Sequence, residues 1–135
     1  MAIEQNKAIA IEFLTALGAG RGREMTMLLT ADATWWINGS TRFSGTYRVD
    51  QILEEARGLF ADTERPMEVA FGAITAEEDR VCAEVRARAR FRDGWKYDNQ
   101  VHFLLTLNDG KIASVNEYLD TDHLLRIFGQ GARLV

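Results

Sequence analysis

Two short turns in the second half of the chain, Asp93-Gly94 and Asn108-Asp109-Gly110, constrain the fold more than any other feature. Each lies between runs rich in β-branched and aromatic residues, and connections this short join only antiparallel neighbours. Met67 to Ile74, Arg80 to Arg92, Trp95 to Leu107 and Lys111 to Leu119 are therefore expected to form a four-stranded meander. The first half has a different period. From Gln5 to Leu17 the apolar residues Ile9, Phe13 and Leu17, with Ala10 and Leu14 beside them, recur at helical spacing, and Gly18 and Gly20 supply the stop. A short second helix is expected from Gly22 to Leu29, after which Ala31-Asp32-Ala33 turns the chain into a strand from Thr34 to Ile37. Asn38-Gly39 marks a turn, and Asp50 is expected to cap a third helix carrying Ile52, Leu53, Ala56, Leu59 and Phe60. Thr121 is expected to cap a short final helix with Leu124, Leu125 and Phe128. Helix, helix, strand, helix and then a meander describe an α+β protein. No linker or repeat divides it, so residues 1–135 read as one domain.

Charge and composition exclude several functions. The 16 Lys and Arg are outnumbered by 20 Asp and Glu, a net charge of −4, so there is no basic excess for phosphates and no nucleic acid partner is expected. No apolar run approaches the roughly 20 residues of a membrane span, and the start MAIEQNKAIAIEF lacks the pattern of a signal peptide, so a cytoplasmic location is expected. Cys82 is the only cysteine, which rules out an intrachain disulfide and a thiolate cluster and suits a packing role. No HExxH and no paired histidines at ligand spacing point to a metal, and no glycine loop that could cradle phosphates precedes a helix, so no cofactor is expected.

The element order, the run Tyr97-Asp98-Asn99-Gln100-Val101-His102-Phe103, the turn Asn108-Asp109-Gly110-Lys111-Ile112 and the ending Asn116-Glu117-Tyr118-Leu119-Asp120-Thr121 together resemble the SnoaL-like and ketosteroid isomerase-like families of the nuclear transport factor 2-like superfamily. The resemblance implies a cone, with N-terminal helices packed in a highly curved antiparallel sheet around a pocket. It leaves the activity open, because the superfamily contains isomerases, cyclases, dehydratases, epoxide hydrolases and proteins without catalysis. In the residue-by-residue match, the isomerase's tyrosine falls on Phe13, its base on Ile37 and its acidic oxyanion donor on Val101. None of these side chains can do that work, so the steroid-isomerase mechanism is rejected.

The ending Asn116-Glu117-Tyr118-Leu119-Asp120 also resembles the last strand of limonene epoxide hydrolase, where the acidic residue before the tyrosine activates or holds water. That family pairs it with an Arg and an Asp two residues apart on a neighbouring strand. The matched positions here hold Glu84 and Arg86, with the charges swapped. Strand alternation puts Cys82, Glu84, Arg86, Arg88 and Arg90 on one face and Val81, Ala83, Val85, Ala87, Ala89 and Phe91 on the other. Periodicity alone places the charged face in water. The resemblance instead aims Glu84 and Arg86 into the cavity with Tyr97, Asn99, Val101, Val115, Glu117 and Leu119, leaving the small apolar face to pack against a second subunit.

Glu117 lies between Val115 and Leu119 on its strand face, and a carboxylate among apolar side chains needs a partner or a proton. The expected function is a cofactor-independent enzyme of isomerase, cyclase, dehydratase or epoxide hydrolase type, acting on a small apolar oxygen-bearing molecule by general acid-base chemistry. Glu117 would move the proton, Arg86 would stabilise charge and Glu84 would orient Arg86. Tyr97 and Asn99 would position substrate, and Trp35, Phe13, Val101 and Leu119 would line the wall. His102 is expected to point outward and His123 to make a helix-end or surface contact. The alternative is a non-catalytic dimeric module of the same fold that binds a ligand or partner. A homodimer is expected on either reading.

Overall fold

The computed structural model describes residues 2–129. Helices α1 (Ala2–Ala19) and α2 (Gly22–Met27) are followed by strands β1 (Leu29–Ile37) and β2 (Gly45–Arg48) and by helix α3 (Val49–Leu59). Strands β3 (Glu68–Glu77), β4 (Arg80–Arg90), β5 (Lys96–Asn108) and β6 (Lys111–Leu119) come next, and helix α4 (Thr121–Phe128) is the last element described. The strands form one curved, unclosed sheet in the order β2-β1-β6-β5-β4-β3. The expected meander from β3 to β6 is present, and β1 adds to it in parallel with β6. The β5–β6 turn has Asp109 at φ 51° and Gly110 at φ 79°, the left-handed pair that a tight hairpin matching the twist of its strands requires.

Residues facing each other across an antiparallel ladder share a face of the sheet. Val81, Ala83 and Val85 on β4 pair with Leu105, Phe103 and Val101 on β5, and Leu105, Phe103 and Val101 pair in turn with Val115, Glu117 and Leu119 on β6. That face is concave and buried. Helix α1 lies against β3 and β4 and buries Ala10, Phe13 and Leu14 in the core that includes this face. Fully burying a Leu, Val or Phe side chain contributes about 1.5–3 kcal/mol, so this face decides which way the strands turn. Helix α3 packs against β1 and β2, while α4 closes the β5 side and builds a second core from Phe43, Phe91, Tyr97, Leu124, Ile127 and Phe128.

The structure departs from the sequence expectations at four places. Ala31, Asp32 and Ala33 lie within β1. Strand β2 was not expected, and it forms the sheet edge beside β1. Arg48, not Asp50, precedes α3, with its backbone N–H donating to Gln51 Oε1 at 3.2 Å, while Asp50 in the first turn pairs with the Arg48 guanidinium. Asp120, not Thr121, caps α4, its carboxylate accepting the His123 N–H at 3.1 Å.

Candidate functional site

The concave face and the helices leave a cavity of about 550 Å³. Its wall is apolar over most of its extent. Leu14 and Gly18 come from α1, Ile52 and Ala56 from α3, and Val101 and Phe103 from β5. Glu117 on β6 and Tyr97 on β5 bring ionisable groups into that lining, and Trp35 on β1 brings its indole.

Glu117 is the centre of the arrangement. It pairs across the ladder with Phe103 and beside Ile37, so its side chain has to point inward with theirs. The Trp35 indole Nε1–H donates to Glu117 Oε1 at 2.9 Å. Glu117 is half-buried and belongs to the cavity lining. Burial, only partly offset by the indole hydrogen bond, pushes its pKa up to about 7. Trp35 is held in turn by Phe13 and Phe103, each with ring centroids 6.1 Å away. The Tyr97 phenol is raised well above its ordinary range, first by burial and then by the nearby Glu117 carboxylate, while a hydrogen bond with Asn99 works the other way. Tyr97 therefore stays a neutral O–H donor at physiological pH.

Of the expected site residues, Glu117, Tyr97, Trp35, Val101 and Leu119 meet in this cavity. Glu84 and Arg86 do not, and their expected orientation is corrected. Glu84 pairs with His102 and Arg86 with Gln100, all on the convex face, because Val85 must share the concave face with Val101. A strand has only two faces, so matching Glu84 to the side of Val101 was a shift of one residue. Arg86 is held by two 2.8 Å hydrogen bonds from its Nε and Nη2 to the Asp98 carboxylate. Glu84 Oε1 accepts the Ala73 N–H at 3.4 Å. The small apolar face of β4, expected to meet a second subunit, is the inner face covered by α1.

Two other residues are moved from the cavity wall into supporting positions. Phe13 is fully buried in the core behind Trp35. Asn99 is fully buried as well, and its amide joins β5 to the end of β6: Nδ2 donates to the Asp120 carbonyl at 3.1 Å and Oδ1 accepts the Asp120 N–H at 2.9 Å. His102 is exposed on the convex face, and His123 Nε2 accepts the Asp98 N–H at 2.9 Å, as a surface contact. Tyr47 on β2 also lines the cavity and was not foreseen, since its four-residue strand carries little signal of its own. Its hydroxyl donates to the Phe43 carbonyl at 2.7 Å. Among the described residues, no group of three or more His, Cys, Asp or Glu could hold a metal ion, and no helix is long and apolar enough to cross a membrane.

The model of the SnoaL-like domain matches residues 10–115. The chain belongs to the SnoaL-like family. Its fold is shared with a protein from a soil-derived mobile gene cassette, at a TM-score of 0.82 and 19% identity over 95% of this chain and 99% of that one. An NTF2-like protein from Burkholderia xenovorans is similar at a TM-score of 0.71 and 24% identity, covering 94% and 98%. An LEH-like epoxide hydrolase from M. tuberculosis is similar at a TM-score of 0.75 and 18% identity, covering 94% of each chain. No curated protein matches the sequence. At these identities the likeness is one of fold, and the chemistry has to come from the residues in this SnoaL-like cavity.

Proposed function

We propose that this SnoaL-like protein is a cofactor-independent enzyme acting by general acid-base chemistry on a small, largely apolar molecule that carries a carbonyl, enone or epoxide oxygen. The observation that carries the reading is the Glu117 carboxyl, which lies in an apolar cavity with its pKa raised by burial to about 7. A group that titrates there accepts or delivers a proton at neutral pH, where an ordinary glutamate serves only as a weak base. The apolar wall would hold the carbon skeleton, Tyr97 would donate its O–H to the substrate oxygen, and Glu117 would move the proton. The fold of an LEH-like epoxide hydrolase on a similar scaffold supports chemistry on small molecules.

The outward position of Arg86 and Glu84 favours a second reading, a module that binds such a molecule without turning it over, since the Arg86 guanidinium expected beside the Glu117 carboxylate is engaged with Asp98 on the convex face. A panel of epoxides, enones and small polyketide-like ketones run against the wild type and Glu117→Gln separates the two. Loss of turnover by about 100-fold or more with binding retained is expected for the enzyme. Equal binding by both proteins with no turnover by either would establish the binding module. We also propose that the protein acts as a homodimer through the convex face of the sheet.

A further inference from the structure

We infer that Trp35 is a positioning residue that fixes which oxygen of Glu117 carries the reactive proton, so that the acid form offers its O–H, and the base form its free lone pair, from Oε2 into the cavity. The inference rests on the acid-base reading of the site and adds a division of labour within the carboxyl group.

An indole is one-sided, because its Nε1–H donates and cannot accept. Trp35 Nε1 lies 2.9 Å from Glu117 Oε1, so Oε1 has to present a lone pair to it in both protonation states. A proton placed on Oε1 would make it a hydroxyl oxygen, a poorer acceptor for the indole N–H than the carbonyl oxygen it is otherwise, and would weaken the bond. The proton of the neutral acid is thereby favoured on Oε2. That oxygen has no hydrogen-bond partner among the described residues, and Glu117 belongs to the cavity lining.

The indole can enforce this choice because it is itself immobile. Trp35 is 3% exposed, with Phe13 tilted against one side and the Phe103 ring edge-on to another. The three rings come from α1, β1 and β5, so any reorientation of the indole would disturb the main core. Phe13 thus has an indirect place in the site, as the buttress of the residue that orients the acid. Tyr97 lines the same cavity and supplies a second O–H donor to a substrate oxygen held there.

The same hydrogen bond favours the carboxylate over the acid and opposes the effect of burial. Trp35→Phe keeps an aromatic ring and removes the N–H. The Glu117 titration, followed by NMR of the side-chain carboxyl carbon without substrate, is expected to move upward by about one unit in this variant. The pH-rate profile is expected to move with it. A Glu117 titration that stays in place or moves downward in a folded Trp35→Phe protein would overturn the inference. The wild type provides a measurement that does not depend on that variant folding. The Trp35 indole N–H resonance is expected to shift with the midpoint of Glu117 and to lose that transition in Glu117→Gln, and an indole resonance with no such transition would also overturn the inference. Neither titration needs a substrate, so an absence of turnover would count against the proposed function while leaving the Trp35 assignment standing.

Discussion

A buried acid leaves a mark on stability as well as on reactivity. Glu117 has an ordinary value of 4.5 and is raised to about 7 in the folded protein. Between these values the unfolded chain has released a proton that the folded chain still holds, so folding stability falls as pH rises through this window and levels off above it. The difference amounts to about 3 kcal/mol, a large part of what keeps a small domain folded. Glu117→Gln keeps an oxygen for the Trp35 N–H and has no proton to lose. Relative to wild type, the variant is expected to gain about 3 kcal/mol between pH 4.5 and pH 8, measured by urea denaturation at both ends. Asp98 and Asp50, whose carboxyls are lowered by hydrogen bonds from Arg86 and Arg48, act in the opposite sense at lower pH and cancel in the comparison. A constant difference between the two proteins across the window would show that Glu117 is not held as a neutral acid. Its importance was legible in sequence from Val115 and Leu119 on either side. Its partner was not, because Trp35 and Glu117 are 82 positions apart and only the parallel pairing of β1 with β6 brings them together.

At the level of elements, what could be read depended on whether a segment carries its own pattern. Strand β6 runs from Lys111 to Leu119 as expected, since the Asn108-Asp109-Gly110 turn fixes its start. Strand β2, only Gly45–Arg48, was invisible because it is a strand only by pairing with β1. The error at Glu84 and Arg86 was also one of pairing. Alternation divided β4 into its two faces correctly, and its plain prediction that the charged face meets water agrees with the structure. The family match reversed it by one residue. Helix α1 shows a close fit that composition does not reveal. Gly18 sits inside α1 against β3, where an added Cβ would lie 2.5 Å from Val69 Cγ2 and 3.2 Å from the Met67 carbonyl oxygen. Gly18→Ala would gain about 1 kcal/mol of helix propensity and lose about 1–3 kcal/mol to overpacking. A net loss of stability is expected in thermal denaturation. An increase in Tm would mean that α1 stands off β3 by more than the structure shows.

At the level of the whole molecule, the sheet divides the protein between a concave side that makes the cavity and a convex side that no described helix covers as α1 covers the first. The small apolar face of β4, expected to lie outside and meet a second subunit, is internal. Trp36 and Leu104, expected on the outer surface of the sheet along with that face, leave Trp36 and its neighbours as the basis for the dimer. Trp36 packs edge-on against Tyr118 with ring centroids 5.2 Å apart, His102 lies 6.4 Å from the same tyrosine, and Tyr118 and Phe71 are 40% and 37% exposed. Large aromatic rings on an open sheet face, with the Arg86–Asp98 pair beside them, have the mixture of anchors and polar rim found at interfaces between subunits. Sedimentation is therefore expected to give a dimer at micromolar concentration, and Tyr118→Glu, which places a charge among those rings, is expected to shift it to monomer. The Trp35–Glu117 pair lies on the other side of the sheet, so the Glu117 titration should be the same in that variant as in the wild type. A wild-type monomer would leave the convex face without a partner, and a dimer indifferent to Tyr118→Glu would place the contact elsewhere on the surface.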